Sequence, residues 1–322
     1  MTSAPMSDSI MPANGVGPIP ANSMMRIPLS GPMALRYACE SEQPKGRARL
    51  MSAKQQKTAL VTGASRGIGK ASAIALARAG FDVAVSARTL SDGSGRDMYD
   101  PDLTIPGGLD TTVAAIEAEG QQGAAFVMDL LDRTSVEACI DGALEHFGHL
   151  DVLVNNAIFQ GKVSMTPILE LEEPEVHKLF EGNVFAQMAI TERVLAAMLE
   201  QGSGTIVNMI SASAYTDPPG PIGKGGWGMA YAMSKGAFTR MTPHIHVEHG
   251  PDGIRAFSID PGYVITEAAR ARNTAGSFPY PGGEPATIGA VVAWLAASSD
   301  ADEHLGGIVY AQSEFKKQGL SA

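Results

Sequence analysis

The chain has 322 residues, a formal net charge of −10 and 18% charged residues. One large α/β domain with an additional terminal segment fits this length and composition best. The acidic balance, with no basic stripe, argues against a nucleic-acid partner, and the absence of a long apolar run argues against a membrane partner. The two cysteines, Cys39 and Cys139, are too few for a disulfide framework, so we expect a reducing, cytoplasmic location.

Residues 1–50 are rich in Pro, Ser, Met and Gly and show no sustained apolar periodicity. Such a segment buries too little apolar surface to offset the entropy lost on ordering. We therefore expect a disordered extension over residues 1–50 and one folded domain over residues 51–322. An alternative is that the natural chain starts at Met51, just ahead of the first predicted strand.

A short apolar run over residues 59–61 leads into the segment TGASRGIG, and an alanine-rich helical pattern follows. The order strand, glycine turn, helix is typical of a dinucleotide site. Glycines allow a tight turn and a close approach of the backbone to a pyrophosphate, and the free N–H groups of the helix favour anions. This pattern predicts cofactor-binding residues at Gly63, Ser65, Arg66, Gly67, Ile68 and Gly69.

A β-branched strand over residues 81–87 ends at Ala87 and Arg88. A site for NAD carries a carboxylate at this position for the ribose 2′-hydroxyl, and this chain has none there. Arg88 and Arg66 could together bind a 2′-phosphate, which predicts NADP(H) in preference to NAD(H). The alternative is that both arginines are solvated surface residues.

The rest of the chain alternates between the apolar periods of strands and helices. Strands are predicted over residues 124–127, 151–154, 205–209, 255–259 and 308–310, and helices over residues 111–119, 134–147, 175–199 and 287–297. This alternation predicts an α/β fold with a doubly wound parallel sheet of Rossmann type. The Gly-rich, Asp-rich segment over residues 89–110 is predicted to be a surface loop.

Several motifs occur in the order found in the short-chain dehydrogenase/reductase family: TGASRGIG, Asn155-Asn156-Ala157, the YAMSK helix and PGYVIT. The chain resembles this family over about residues 56–310, although Ile158 stands where the family has a glycine. The resemblance implies that Asp129 hydrogen-bonds the adenine amino group. It also implies that the cofactor is lined by Asn155 and Ala157 and, at the nicotinamide, by Pro261, Gly262, Val264 and Thr266.

The resemblance further implies a catalytic set of Asn183, Ser211, Tyr231 and Lys235. Ser211 is assigned by counting from the preceding strand, with Ser213 as the alternative. Tyr231 and Lys235 lie four residues apart and therefore share one helix face. Tyr231 is expected to donate a proton to the substrate oxygen while Ser211 stabilises the developing charge. Lys235 is expected to favour the phenolate of Tyr231 and to hold the ribose hydroxyls, and Asn183 to hold a relay water.

These residues predict an NADP(H)-dependent oxidoreductase that interconverts a carbonyl and a secondary alcohol of a small-molecule substrate. The alternatives are a 3-oxoacyl carrier-protein reductase and a catalytically silent dinucleotide-sensing protein. By resemblance we expect a homodimer or homotetramer, paired through the helices that carry Asn183 and Tyr231.

Three further segments were considered for a role in substrate or metal binding. The segment over residues 216–228, which contains Trp227, is either part of the substrate pocket or a surface insertion, and residues 267–286 are predicted to form a mobile substrate lid. No metal site is predicted, because His244, His246 and His249 lack supporting carboxylate or cysteine spacing.

Overall fold

The computed structural model describes residues 55–274 and 281–322. The extension predicted over residues 1–50 lies outside the described residues, and so does part of the predicted lid, residues 275–280. In the two described ranges, no helix combines the length and the apolar character needed to cross a membrane.

The centre of the fold is a parallel sheet, which within the described residues has seven strands in the order β3-β2-β1-β4-β5-β6-β7. The strands are β1 (Thr58–Thr62), β2 (Asp82–Ala87), β3 (Gly123–Val127), β4 (Val152–Asn155), β5 (Gly204–Met209), β6 (Ile254–Asp260) and β7 (Ile308–Tyr310). Every residue of β1, β4 and β5 is buried. Strands covered by helices on both faces read as continuous apolar runs, and this is why the sequence pattern marks them clearly.

Helices cover both faces of the sheet. In the described residues they are α1 (Gly67–Arg78), α2 (Leu109–Ala118), α3 (Arg133–Phe147), α4 (Glu173–Phe180), α5 (Ala186–Gln201), α6 (Met229–Thr239), α7 (Met241–His249), α8 (Glu267–Ala271), α9 (Pro285–Ala297) and α10 (Ala311–Lys317). One apolar core joins α1, α2 and α9 to the sheet, with Leu76 and Leu295 fully buried in it. A second core joins α3 and α5 to the sheet around Ile140 and Ile190. The prediction of a doubly wound parallel sheet is therefore confirmed.

The helix predicted over residues 175–199 differs from one regular helix. It consists of α4, a π-helical turn (Glu181–Phe185) and α5, and Asn183 lies inside the π turn. Apolar periodicity continues across such a turn, so the sequence pattern does not reveal it. π turns are frequent at functional sites.

The insert over residues 89–110 is more than the surface loop that we predicted. Its residues Arg96 and Thr104 form an antiparallel bridge, and Asp97 and Ile105 are buried. Part of the predicted lid has regular structure. Helix α8 lies within it, and the lid residue Gly283 forms a β-bridge with Val264. Both segments are held by contacts distant in sequence, which local patterns do not encode.

Candidate active site

All seven strands run in the same direction, so their C-terminal ends lie along one edge of the sheet. The predicted site residues follow the ends of β1, β2, β3, β4, β5 and β6 or lie on the helices that begin near this edge. Ligands of open α/β sheets bind at this edge. The site is built there from three parts: the glycine turn, the segment after β6 and the catalytic residues near α6.

The glycine turn after β1 has no room for side chains at two positions. A Cβ on Gly63 would lie 2.8 Å from the Cα of Ala157, and a Cβ on Gly69 would lie 2.3 Å from the carbonyl oxygen of Gly63. Gly63 also has a φ of +68°, a conformation that glycine adopts at low cost. The side-chain amide of Asn156 donates to the carbonyl oxygen of Thr62 at 2.8 Å and so fixes the turn against β4.

The backbone of the glycine turn binds an anionic group in this structure. The N–H of Gly67, at the start of α1, donates to Oε2 of Glu267 at 2.8 Å. The side chain of Thr266 lies 3.2 Å from the position of a Cβ on Gly67. A carboxylate at this N–H shows that the turn offers the donor that a pyrophosphate needs, so the residues fit a dinucleotide. Ser65 is buried in the turn, and Ile68 packs on the core from α1.

Arg66 is held by the insert. Its Nε donates to the carbonyl oxygen of Pro106 at 2.9 Å, and its Nη2 donates to that of Gly107 at 2.9 Å. The pKa of Arg66 is lowered, first by burial; Glu267 opposes this shift and the positive charge of Arg88 adds to it. The charges of Arg66 and Arg88 are thus near enough to interact, and Arg88 is exposed at the end of β2.

Asp129 lies at the end of β3. Its Oδ1 accepts from the N–H of Leu131 at 3.0 Å, and its own N–H donates to the hydroxyl of Ser135 at 3.0 Å. These contacts fix the carboxylate in the turn that precedes α3.

Asn155 and Ala157 have different surroundings. Asn155 is buried, and its Nδ2 donates to the hydroxyl of Thr191 at 2.8 Å and to Oδ1 of Asn208 at 2.9 Å. Its side chain therefore ties β4 to β5 and α5. The N–H of Ala157 donates to the hydroxyl of Thr62 at 3.0 Å, which places this backbone beside the glycine turn.

Ile158 does not require the backbone freedom of the glycine that it replaces. Among the described residues, Asn273 is the non-glycine residue with a positive φ. Ile158 therefore has an ordinary backbone conformation, and the neighbouring Phe159 is anchored through its N–H to Oδ1 of Asn183 at 2.8 Å.

The segment after β6 is held from the C-terminal end of the chain. Nε2 of Gln312, on α10, donates to the carbonyl oxygen of Pro261 at 2.8 Å and to that of Tyr263 at 3.0 Å. Gly262 has a φ of +65°. Val264 is buried, and the hydroxyl of Thr266 caps α8 by accepting from the N–H of Ala269 at 3.3 Å. Sequence analysis did not predict α10, which follows the last strand without a marked apolar pattern.

Tyr231 is half-buried on α6, and its environment favours the neutral phenol. Burial raises the pKa of Tyr231 to about 12; a hydrogen bond with the Ser211 side chain acts in the opposite direction, and Tyr99 and Asp260 raise it further. That Lys235 favours the phenolate stays a prediction. The neutral phenol is the form that donates a proton.

Two serines lie beside each other near Tyr231. The hydroxyl of Ser213 donates to that of Ser211 at 3.1 Å, and the N–H of Ser213 contacts the same oxygen at 3.3 Å. Ser211 is the serine whose side chain acts on the pKa of Tyr231, whereas Ser213 is buried and contacts Ser211. Of the two serines, Ser211 is therefore the one that the structure relates to the phenol of Tyr231.

Lys235 lies one helical turn after Tyr231 and is 5% exposed. Its Nζ donates to the carbonyl oxygen of Met209, at the end of β5, at 2.8 Å. Burial lowers the pKa of Lys235 to about 8, and the negative charge of Asp260 opposes this shift. The ammonium thus contacts the C-terminal edge of the sheet.

Asn183 contacts the catalytic helix directly. Its Nδ2 donates to the hydroxyl of Ser234 at 3.3 Å, while its Oδ1 accepts from Phe159. The π turn therefore links α6 to the segment after β4.

A cavity of about 810 Å³ lies between the insert and the segment after β4. Tyr99 lines it, and its phenol is near enough to Tyr231 to raise the pKa of that residue. Trp227 is half-buried but does not line this cavity. Other residues that line it include Arg88, Phe159, Lys162, Val163 and Glu175.

Sequence reasoning missed a set of residues that join the insert to the segment after β6. Asp97, in the insert, accepts from Nε of Arg272 at 2.6 Å, and the guanidinium of Arg272 lies 4.6 Å from the ring centroid of Tyr99. It also missed Asp260 and Tyr215, whose side chains hydrogen-bond each other at the end of β6. Asp97 and Arg272 are 175 positions apart and Tyr215 and Asp260 are 45 apart, so no local signal could have paired them.

A model of the short chain dehydrogenase family matches residues 57–95 and 105–276 of this chain. The chain belongs to the short-chain dehydrogenase/reductase family. The family match leaves out residues 96–104, which are the part of the insert that carries Asp97 and Tyr99.

Individual relatives agree with this assignment. The chain is 32% identical over 271 residues to an uncharacterized oxidoreductase of Methylorubrum extorquens, which covers 81% of this chain and 98% of the relative. It is 29% identical over 250 residues to glucose 1-dehydrogenase 2 of Bacillus subtilis, with 75% and 88% covered. A solved structure of an actinorhodin polyketide ketoreductase variant with NADPH has a TM-score of 0.65 at 25% identity, with 81% and 97% covered. As a short-chain dehydrogenase/reductase, the protein is an oxidoreductase that acts on an alcohol or carbonyl group of a small molecule with NAD(P)(H).

Proposed function

We propose that this short-chain dehydrogenase/reductase uses NADP(H) to interconvert a carbonyl and a secondary alcohol, with Tyr231 as the general acid and base. The observation that carries the proposal is the contact of Tyr231 with Ser211 beside the buried Lys235. A proton donor, a second hydroxyl and a cation at the ligand-binding edge of the sheet are what carbonyl reduction requires.

Each catalytic side chain has a separate task in this proposal. The hydroxyls of Ser211 and Tyr231 hold the substrate oxygen, and the raised pKa of Tyr231 keeps its proton available for transfer to that oxygen. Lys235 binds the ribose hydroxyls, and Asn183 holds a relay water at the π turn. In the oxidation direction Tyr231 takes the proton back. When bound, the nicotinamide cofactor supplies or accepts the hydride.

The cofactor-binding residues divide along the edge of the sheet. The turn of Gly63, Gly67 and Gly69 holds the pyrophosphate. The N–H of Gly67, which donates to Glu267 in this structure, would then donate to the pyrophosphate instead. Asp129 binds the adenine amino group, and residues 261–266 hold the nicotinamide carboxamide. The substrate is placed where the cavity that Tyr99 lines approaches Tyr231, although Tyr231 and Ser211 do not themselves line that cavity.

The preference for NADP(H) is supported by two like charges held close together. The positive charges of Arg66 and Arg88 repel each other, and a 2′-phosphate between them would relieve that repulsion. Two N–H groups of Arg66 are used by backbone carbonyls, so Arg88 supplies most of the contact. Charge-assisted hydrogen bonds to a phosphate are stronger than neutral ones.

A homo-oligomer is supported by exposed apolar side chains near Asn183 and Tyr231. These side chains are 42% to 52% exposed and belong to Phe185, Met188, Met229 and Met233. Groups of exposed apolar side chains are typical of protein interfaces.

A screen of carbonyl compounds tests the proposed function. Small ketones, aldehydes and 3-oxoacyl thioesters are offered with NADPH deuterated at C4, and in parallel with NADH, while cofactor absorbance is followed. We expect consumption of NADPH with some of these compounds and deuterium on the carbinol carbon of the product. Absence of cofactor oxidation across the panel, with the cofactor bound, would favour the dinucleotide-sensing alternative.

A further inference from the structure

Asp260 is a buried carboxylate at the C-terminal end of β6. It is 6% exposed. Its Oδ1 accepts from the N–H of Gly262 at 2.9 Å, and its Oδ2 accepts from the hydroxyl of Tyr215. A buried carboxylate costs free energy unless hydrogen bonds and an opposite charge offset that cost. These two hydrogen bonds offset part of that cost, and a nearby positive charge would offset more of it.

An opposite charge is that of Lys235, which the sheet register places at the end of the neighbouring strand. Met209 of β5 pairs with Ile259 of β6, and the N–H of Ile210 donates to the carbonyl oxygen of Ile259 at 2.9 Å. Lys235 donates to the carbonyl oxygen of Met209, and Asp260 directly follows Ile259. The ammonium and the carboxylate therefore lie at the ends of two neighbouring strands, near enough for their charges to interact although no direct ion pair joins them.

Lys235 depends on Asp260 for its charge more than on any other described residue. The Nζ of Lys235 lies 5.0 Å from the ring centroid of Phe238, and burial is the main cause of its lowered pKa. Within residues 55–274 and 281–322, Asp260 is the charged group that opposes this shift. The other titratable groups around the carboxylate are phenols, those of Tyr215, Tyr231 and Tyr310.

We propose that Asp260 is a positioning residue for Lys235: its carboxylate, fixed by Tyr215 and by the backbone of Gly262, keeps the buried lysine charged and directed at the end of β5. The inference rests on the proposed function in one respect, namely that Tyr231 and Lys235 form the catalytic pair. Without Asp260 the lysine would lose its proton closer to neutral pH. The cation beside Tyr231 and the ribose hydroxyls would then be lost in the working range.

Tyr215 holds the carboxylate in place and carries no charge of its own. Burial and the hydrogen bond to Asp260 raise the pKa of Tyr215 well above its usual value, so its hydroxyl remains a donor. Its ring packs edge-on against Tyr310, with centroids 6.4 Å apart. Removal of this hydroxyl loosens Asp260 but leaves its charge next to Lys235.

The protonation of Lys235 can be measured directly in the full chain. Lysines are labelled with ¹³C at Cε, and the Lys235 resonance is assigned by its loss in Lys235→Arg. We expect a titration midpoint near 8 in the wild type. Asp260→Asn keeps the shape of the side chain and removes the charge, and it should lower the midpoint by about one pH unit. Asp300→Asn, which removes an exposed carboxylate, is the matched control and should leave the midpoint in place.

Three outcomes would overturn the proposal. The first is an unchanged Lys235 midpoint in Asp260→Asn, and the second is an equal shift in Asp300→Asn. The third uses Tyr215→Phe, which also serves if Asp260→Asn does not fold: the carboxylate is loosened but keeps its charge, so the midpoint should fall by less than the full pH unit expected for loss of the charge. No fall, or a fall of a full pH unit, contradicts the proposal.

A second readout separates positioning from a merely structural role. The alkaline limb of the pH profile of kcat/KM for carbonyl reduction should move to lower pH in Asp260→Asn. A structural defect would reduce activity equally at all pH values, and that result would overturn the proposal. Failure of the proposed function can be distinguished from failure of this proposal. Normal turnover of Tyr231→Phe would show that Tyr231 and Lys235 are not the catalytic pair, but it would not change the measured titration of Lys235.

Discussion

Single residues carry the proposed preference for NADP(H). Arg88 is exposed at the end of β2, where a carboxylate would favour the free ribose, and it lies close to Arg66. The proposed role of Arg88 could be predicted from sequence because it depends on one position directly after one strand. The capture of Arg66 by the carbonyl oxygens of Pro106 and Gly107 was not, because the insert that provides them has no periodic pattern.

Arg88→Ala tests the cofactor preference. Loss of one charge-assisted contact at a partly solvated position should lower kcat/KM with NADPH by about 10- to 100-fold, and leave kcat/KM with NADH nearly unchanged. The measurement is a pair of cofactor titrations at fixed ionic strength, with Arg193→Ala, a surface arginine of α5, as the control. A wild-type preference for NADH, or an equal loss with both cofactors, would contradict the assignment.

The residues of the glycine turn and the catalytic helix differ from the buried carboxylate Asp260 in how far sequence alone could identify them. Gly63, Tyr231 and Lys235 could be located from sequence because turn geometry and helix spacing are local properties. Asp260 could not be assigned a role, since its importance comes from the register of β5 and β6 and from Tyr215.

At the scale of elements, the insert is the part of the chain that the sequence predicted least well. It joins the segment after β6 through Asp97, whose side chain is 1% exposed, and Arg272, whose side chain is 26% exposed. The helix over residues 175–199 shows the same limit, because its apolar period continues through the π turn. Elements with a simple period were predictable, and elements that depend on distant partners were not.

Asp97→Asn measures what the insert contributes to stability. The side chain keeps an acceptor for the N–H groups of Tyr99 and Asp100 but leaves Arg272 without its counter-charge. We expect the free energy of unfolding to fall by about 1–3 kcal/mol at neutral pH, as for a hydrogen bond to a charged group. Urea unfolding measures this change, and Asp102→Asn, an exposed position in the same insert, is the control.

The pH dependence of this effect has a defined sign. Burial raises the pKa of Asp97, but the hydrogen bond from Arg272 and two backbone N–H groups outweigh it, so the net shift is downward. A carboxyl with a lowered pKa stabilises the fold above its ordinary value of 3.8 and loses that contribution as the pH falls. The difference between wild type and Asp97→Asn should therefore shrink in acid. A difference that persists or grows in acid would show that the charge of Asp97 is not its cause.

The whole molecule is the scale at which sequence patterns were most informative about fold and least informative about assembly. The alternation of buried runs and amphipathic helices was sufficient for the doubly wound sheet, because parallel crossovers have one favoured hand. The exposed apolar side chains of α5 and α6 follow from no such rule. They become visible only when the helices are placed on the sheet.

Met188→Glu tests whether these helices form the interface between copies. We expect a particle of two or four chains for the wild type in sedimentation experiments, and smaller species for the variant, because a buried carboxylate opposes association. Val247→Glu places the same charge at an exposed position of α7 and should leave the assembly intact. A monomeric wild type, or equal dissociation of both variants, would exclude this interface.

The central claim is that Tyr231 transfers the proton during carbonyl reduction, and Tyr231→Phe tests it most directly. The substitution removes the hydroxyl and keeps the aromatic ring. With a carbonyl substrate and NADPH, turnover should fall by roughly 100-fold or more, while the dissociation constant of the cofactor stays nearly unchanged. Ser211→Ala should also be impaired, and more strongly than Ser213→Ala. Near-normal turnover of Tyr231→Phe with the cofactor bound would contradict the account.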